Sequence, residues 1–169
     1  MAGGEIRNLI ILGIDPGTAT LGYGIIESQK NKLTVLSYGC ATTPKNLPSP
    51  ARLKLLYDEV TALIKKHKPT LVAIEQLFFF KNQKTVITVA QARGVALLAA
   101  ENKKINICEF TPLQVKQAVS GYGKAEKQQV QKMVKILLSL KEIPQPDDAA
   151  DALAIAICAA HCKPVDNNF

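Results

Sequence analysis

No apolar run in this 169-residue chain approaches the length needed to cross a bilayer. No segment is of low complexity and no internal repeat is visible, which argues against disordered and fibrous classes. The first apolar run, Leu9 to Ile14, is short, ends in Asp15 and is followed by no cleavage-type sequence. It is therefore expected to be a strand rather than a signal peptide, with Met1 to Asn8 a frayed lead-in. Cysteine is sparse: Cys40, Cys108, Cys158 and Cys162, with no C-x-x-C pair. Cys158, His161 and Cys162 crowd together, but zinc needs a fourth ligand and usually a second Cys/His pair. Free thiols in a reducing cytoplasm are expected instead. Acidic residues are the scarcer charge, 14 against 21 basic, for a net charge of +7. Such an excess favours polyanionic partners, nucleic acid or a membrane surface.

What is present suits one compact domain spanning residues 1–169, since 47% of the chain is hydrophobic and no linker interrupts it. Asn8 to Asp15 reads as a buried strand, and a P-G-T turn follows. Thr20 to Glu27 and Leu33 to Thr42 read as two more strands of an antiparallel meander. A helix is expected from the Pro48–Pro50 region, with Ser49 as N-cap, to about His67. Leu53, Leu56, Val60, Ala62 and Ile64 would mark its apolar face. Leu71 to Glu75 is a fourth strand, Thr85 to Asn102 a helix, and Ile105 to Phe110 a fifth strand. Thr111-Pro112 then opens a helix to about Ser120 as N-cap and N1 proline. Gly121-Tyr122-Gly123 breaks the chain before a basic helix from Lys124 to Leu140. The last helix runs from about Asp147 to His161. This order predicts an α/β fold with a mixed five-stranded sheet flanked by helices.

Two candidate acids end strands, Asp15 and Glu75, at sheet edges where ligands meet α/β domains. Asp148 and Asp151 lie three residues apart near the start of the last helix and share a face. That face continues into Leu153, Ile155 and Ile157, so the pair would be costly to desolvate. A plainer reading is that acids favour helix N-termini, the role expected of Asp147. If all four candidates converge, four negative charges share one site, tolerable only with cations. Oxygen donors select Mg²⁺ or Mn²⁺ over zinc. Two such ions about 3.5–4 Å apart suit phosphodiester cleavage, and a basic surface would hold the backbone nearby.

Four motifs carry a family resemblance: G-I-D-P-G-T-A-T-L-G-Y-G-I, A-I-E-Q-L-F-F, T-P-L-Q-V-K-Q-A-V-S-G-Y-G-K-A-E-K-Q-Q-V and D-A-A-D-A-L-A-I-A-I. In this order the chain resembles the RuvC crossover-junction endodeoxyribonucleases from about Leu9 to Cys162. The resemblance implies a ribonuclease H-like fold, a homodimer, and paired symmetric nicking of like-polarity strands of Holliday junctions. It places the catalytic, metal-binding acids on Asp15, Glu75, Asp148 and Asp151, although the third is histidine in some members. It places DNA-contacting positions on Lys116, Lys127 and Phe78. It implies Mg²⁺ and partnership with the branch-migration proteins RuvA and RuvB. Taken without the resemblance, Lys116 and Lys127 read as solvated lysines, and Phe79 and Phe80 as core or dimer packing. Lys124 and Lys132 are further candidates for phosphate contact.

Three rival functions remain open on the sequence. The G-I-D-P-G-T turn is similar to the phosphate hairpin of actin-like ATP-binding domains, but those need a second domain. A related nuclease acting on RNA, or a junction-binding module without cleavage, would share much of the pattern.

Overall fold

A computed structural model describes residues 8–30, 32–77 and 83–162. The strands are β1 (Leu9–Asp15), β2 (Thr20–Gln29), β3 (Lys32–Thr42), β4 (Leu71–Glu75) and β5 (Asn106–Phe110). The helices are α1 (Ser49–His67), α2 (Gln83–Glu101), α3 (Pro112–Ser120), α4 (Lys127–Leu137) and α5 (Asp147–His161). The strands form one sheet in the order β3-β2-β1-β4-β5. β1 lies at its centre, antiparallel to β2 and parallel to β4. β5 extends the parallel half beside β4, so the expected mixed architecture is present.

Side chains alternate across a strand, and this sorts the sheet into two unlike faces. Leu12 and Ile14 of β1, Leu21 and Ile25 of β2, and Val72 and Ile74 of β4 face α1 and α2. Ile11, Ile26, Leu71 and Ala73 meet α3, α4 and α5 on the other side. Gly13 and Asp15 share the parity of Ile11. The second face is low where it carries glycine, and α5 settles into that depression. A Cβ on Gly13 would lie 2.2 Å from the Ala152 carbonyl oxygen, and one on Gly22 would lie 2.1 Å from that of Asp148. Gly24 is similarly covered by Leu153. Backbone thus packs on backbone, and α5 is buried from Ala149 to Ala159 except at the half-buried Asp151.

Local chemistry explains the helix ends. Thr111 caps α3 by accepting from Gln114 N–H, while Gln114 Oε1 accepts from Thr111 N–H. This reciprocal capping box is a strong local start signal. Four sequence expectations need correction. The cap of α1 is Pro48, with no side-chain bond, and Ser49 is already the first helical residue. Ala62 is exposed, and Leu63 is buried in its place on the inner face of α1. α4 begins at Lys127 rather than Lys124, because Ala125 is buried and its N–H bonds Tyr122 O, holding residues 122–125 in a turn. The helix stops at Leu137 rather than Leu140, since Leu138 is its C-cap and Ser139 adopts φ 51°.

Candidate active site

The end of β1 carries Asp15, whose neighbour across the antiparallel pairing is Gly22. The first turn of α5 rests on that glycine. Its position there brings Asp148 and Asp151, one turn apart, against Asp15. The three residues each offer a carboxylate oxygen, and these oxygens lie within 4.8 Å of one another. Among the described residues they form the one grouping of acids, histidines or cysteines with metal-ligand spacing. Two distant segments therefore supply three hard oxygen donors to a single point, a donor set suited to a divalent cation of the Mg²⁺ type.

Glu75 ends β4, the parallel neighbour of β1, but stands outside that trio. Its backbone is held from both sides. Gln76 N–H bonds Phe110 O of β5, and Arg93 of α2 directs its Nε toward the Glu75 carbonyl at 3.4 Å. Arg93 also pairs with Glu109.

Electrostatics bind the four acids together. Burial pushes the Asp15 carboxyl up to about 7, and the charges of Asp151, Glu75 and Asp148 push the same way. Burial and then Asp151 raise Glu75 to about 7, opposed by the nearby Lys116 ammonium. Asp151 is raised by burial, against the hydrogen bond and charge of Lys127. Burial would lower Lys127, but its bonds and charge interactions with Asp151 and then Asp147 outweigh this and raise it. Burial and mutual repulsion hold protons on Asp15 and Glu75 to higher pH than usual, and a bound cation would favour their ionised forms.

The two lysines singled out in the sequence converge. Lys116 and Lys127 line one cleft of about 240 Å³ with Asp151. Lys127 Nζ lies 3.0 Å from Asp151 Oδ2 and 3.3 Å from Asp147 Oδ2. Glu75 lines a second opening of about 270 Å³. Asp147 sits at the start of α5, outside the carboxylate trio. Lys124 and Lys132 are exposed. Phe78, Phe79 and Phe80 lie outside the described residues. All four cysteines are free, with Cys158 buried and Cys162 exposed.

Sequence reasoning missed the supporting residues. Thr18 Oγ1 donates to Thr88 O at 2.6 Å, tying the turn after Asp15 to α2. Thr43 Oγ1 donates to Thr18 O at 2.6 Å and accepts from Arg52 Nε at 2.8 Å. Gln131 Nε2 donates to Asp147 Oδ1 at 3.0 Å. Gln131, one helical turn after Lys127, was open to discovery by spacing; the threonines, far apart in the chain, were not.

A family model described as crossover junction endodeoxyribonuclease RuvC matches residues 11–159. The chain belongs to the RuvC family. A curated RuvC of Desulfitobacterium hafniense is 59% identical over 153 residues, covering 90% of this chain and 93% of the relative. Thermus thermophilus RuvC, solved in complex with Holliday junction substrate, superposes with a TM-score of 0.85 at 35% identity. That match covers 90% of this chain and 93% of the other. The yeast mitochondrial Holliday junction resolvase Ydc2, at 13% identity and a TM-score of 0.68, shares the fold. RuvC members are endodeoxyribonucleases, so the enzyme class and the ribonuclease H-like α/β architecture follow from membership.

Proposed function

We propose that this chain is a Holliday junction resolvase that makes paired symmetric nicks in like-polarity strands of four-way DNA junctions. The carrying observation is the meeting of Asp15 with Asp148 and Asp151 within 4.8 Å, in a chain of this family. The relative of known structure with a Holliday junction bound supports the substrate.

Asp15, Asp148 and Asp151 would hold Mg²⁺, with Glu75 completing the set, Mn²⁺ able to substitute, and two ions per site. Bound there, the metal would supply charge neutralisation and an activated water for phosphodiester hydrolysis. The protein's own groups do the rest. The β1 and β4 ends fix Asp15 and Glu75 on rigid strands, and α5 brings the other two acids as one unit. Lys116 and Lys127 line the neighbouring cleft and hold a phosphate beside acids that would otherwise repel it. Phe78 stacks on an unpaired base near the junction centre. A single domain carries the whole site, and a homodimer matches its twofold axis to that of the junction, giving one cut per protomer. RuvA and RuvB are the partners the family resemblance implies. Among the described residues no helix is long and apolar enough to cross a membrane; the cytoplasm, where junctions are processed, is the proposed location.

A synthetic four-way junction tests this. Asp15→Asn is expected to retain junction binding and lose Mg²⁺-dependent cleavage. Cleavage at the wild-type rate would remove Asp15 from the site. Lys127→Ala is expected to slow cleavage and flatten the salt dependence of binding. Unchanged binding and cleavage would reduce Lys127 to a surface residue.

A further inference from the structure

Lys127 opens α4, and Gln131 follows four residues later, so the two side chains leave the same face of that helix. Both reach the first residue of α5. Lys127 Nζ bridges Asp147 Oδ2 at 3.3 Å and Asp151 Oδ2 at 3.0 Å. Gln131 Nε2 donates to the other Asp147 oxygen, Oδ1, at 3.0 Å. Each Asp147 oxygen therefore has its own partner on α4. Of these partners, Gln131 is buried, with 8% of its surface exposed, while the Lys127 side chain is 52% exposed.

This asymmetry gives the group a direction. A lysine ammonium is a point charge on a flexible four-carbon stem, and fixing it at a surface costs rotamer entropy. A buried amide is already fixed by packing. Gln131 thus anchors Asp147, and Asp147 offers its remaining oxygen to the Lys127 ammonium, which also reaches Asp151. A helix-terminal acid serving only the α5 dipole would need neither partner.

We infer that Asp147 is a positioning residue which, anchored by Gln131, holds the Lys127 ammonium against Asp151 at the cleft shared with Lys116. The inference rests on the reading above that Lys127 serves the junction phosphate. Asp147 itself is not one of the three grouped acids. Its contribution is that Lys127 waits at one place when a phosphate arrives, instead of being collected from solvent. The sign of its effect is diagnostic. Removing an acid beside DNA would by itself strengthen phosphate attraction. A slower reaction on removing this one points to the lost hold on Lys127.

Two measurements on the intact protein test it. The first is the NMR order of the Lys127 Cε methylene, assigned by its disappearance in Lys127→Ala, in the metal-free protein. It should be high in the wild type and fall toward that of the exposed lysines in Asp147→Ala. Gln131→Leu, which keeps an apolar group at the buried position, should give an intermediate loss. The second is single-turnover cleavage of a synthetic four-way junction with Mg²⁺, in a cycle of wild type, Asp147→Ala, Lys127→Ala and the double variant. Asp147→Ala should slow cleavage roughly tenfold without weakening junction binding, and should add nothing in the Lys127→Ala background. Unchanged Lys127 order in Asp147→Ala overturns the inference. So does an equal slowing by Asp147→Ala with and without Lys127, which would mark a role through α5 alone. If Lys127→Ala cuts normally, the phosphate role of Lys127 falls, and a positioning role for Asp147 in the reaction falls with it. If the wild type cuts no junction, the functional reading falls, while the order measurement still decides whether Asp147 holds Lys127.

Discussion

The two faces of the sheet meet their helices by different means. Toward α1 and α2, branched side chains such as Leu12, Ile14, Val72 and Ile74 interlock with Leu56, Val60 and Ala96. Toward α5, Gly13, Gly22 and Gly24 let a helix backbone approach the strands directly. The first kind of packing tolerates small adjustments, because side chains can shift rotamers. The second has no such slack. The candidate chemistry lies on the second: Asp15 shares its parity with Gly13, and Asp148 rests on Gly22. Close backbone contact fixes the acids more tightly than interlocking side chains would.

Substitutions can break this contrast directly. Gly22→Ala would drive a methyl group to within 2.1 Å of the Asp148 carbonyl oxygen, so α5 must move. The expected cost is roughly 3–5 kcal/mol of stability, read by urea denaturation, together with loss of junction cleavage. A wild-type denaturation midpoint would show that close docking is dispensable.

Next in size is an electrostatic effect. Asp15 and Glu75 are each raised to about 7 in the folded protein, well above their ordinary values. Between the ordinary value and about 7 the folded state binds more protons than the unfolded state, so the metal-free protein loses stability as pH rises through that window. Asp15→Asn should therefore stabilise the protein in chelator at pH 8 by roughly 2 kcal/mol, after discounting for solvent screening. The gain should shrink toward zero near pH 4. An equal gain at both pH values would assign it to something other than the buried charge.

Two smaller effects sharpen the comparison. Ile14 adjoins Asp15 in sequence but faces α1 and α2. Ile14→Val is expected to cost about 1 kcal/mol by thermal denaturation and leave cleavage intact. A loss of cleavage would mean that the two faces are mechanically coupled. Gly94, in the middle of α2, is exposed and has nothing within 4 Å of where its Cβ would be. Gly94→Ala should stabilise by about 0.5–1 kcal/mol, the opposite sign to Gly22→Ala. A destabilisation would mean that something packs on α2 there in solution.

Element order was legible because its signals are local. Thr111-Pro112 announced α3, and the buried run ending in Asp15 announced β1. α4 begins three residues later than its local signals suggest, because Lys124 to Glu126 look helical one by one, while the buried Ala125 that pins them in a turn is a tertiary fact. At the site, Asp148 and Asp151 were readable as one helix face, and the structure brings Asp15 to them. The motif resemblance, rather than residue chemistry alone, joined Glu75 to the group; the structure leaves it outside the 4.8 Å trio but within electrostatic reach. The glycines of β1 and β2 are in plain view, inside the first of the four family motifs. Their use was hidden, since what they make room for lies more than a hundred residues away.

That separation also orders events in time. Asp15 and Glu75 are already in place along the chain when β5 is made, yet Asp148 and Asp151 arrive only with α5, after all five strands. Until then the only repulsion among the four acids is that between Asp15 and Glu75. The added repulsion from Asp148 and Asp151, and with it the grouping of three acids that could gather a cation, comes into being when the last helix docks. A nascent chain is thus a nuclease without a blade until its final packing step is complete.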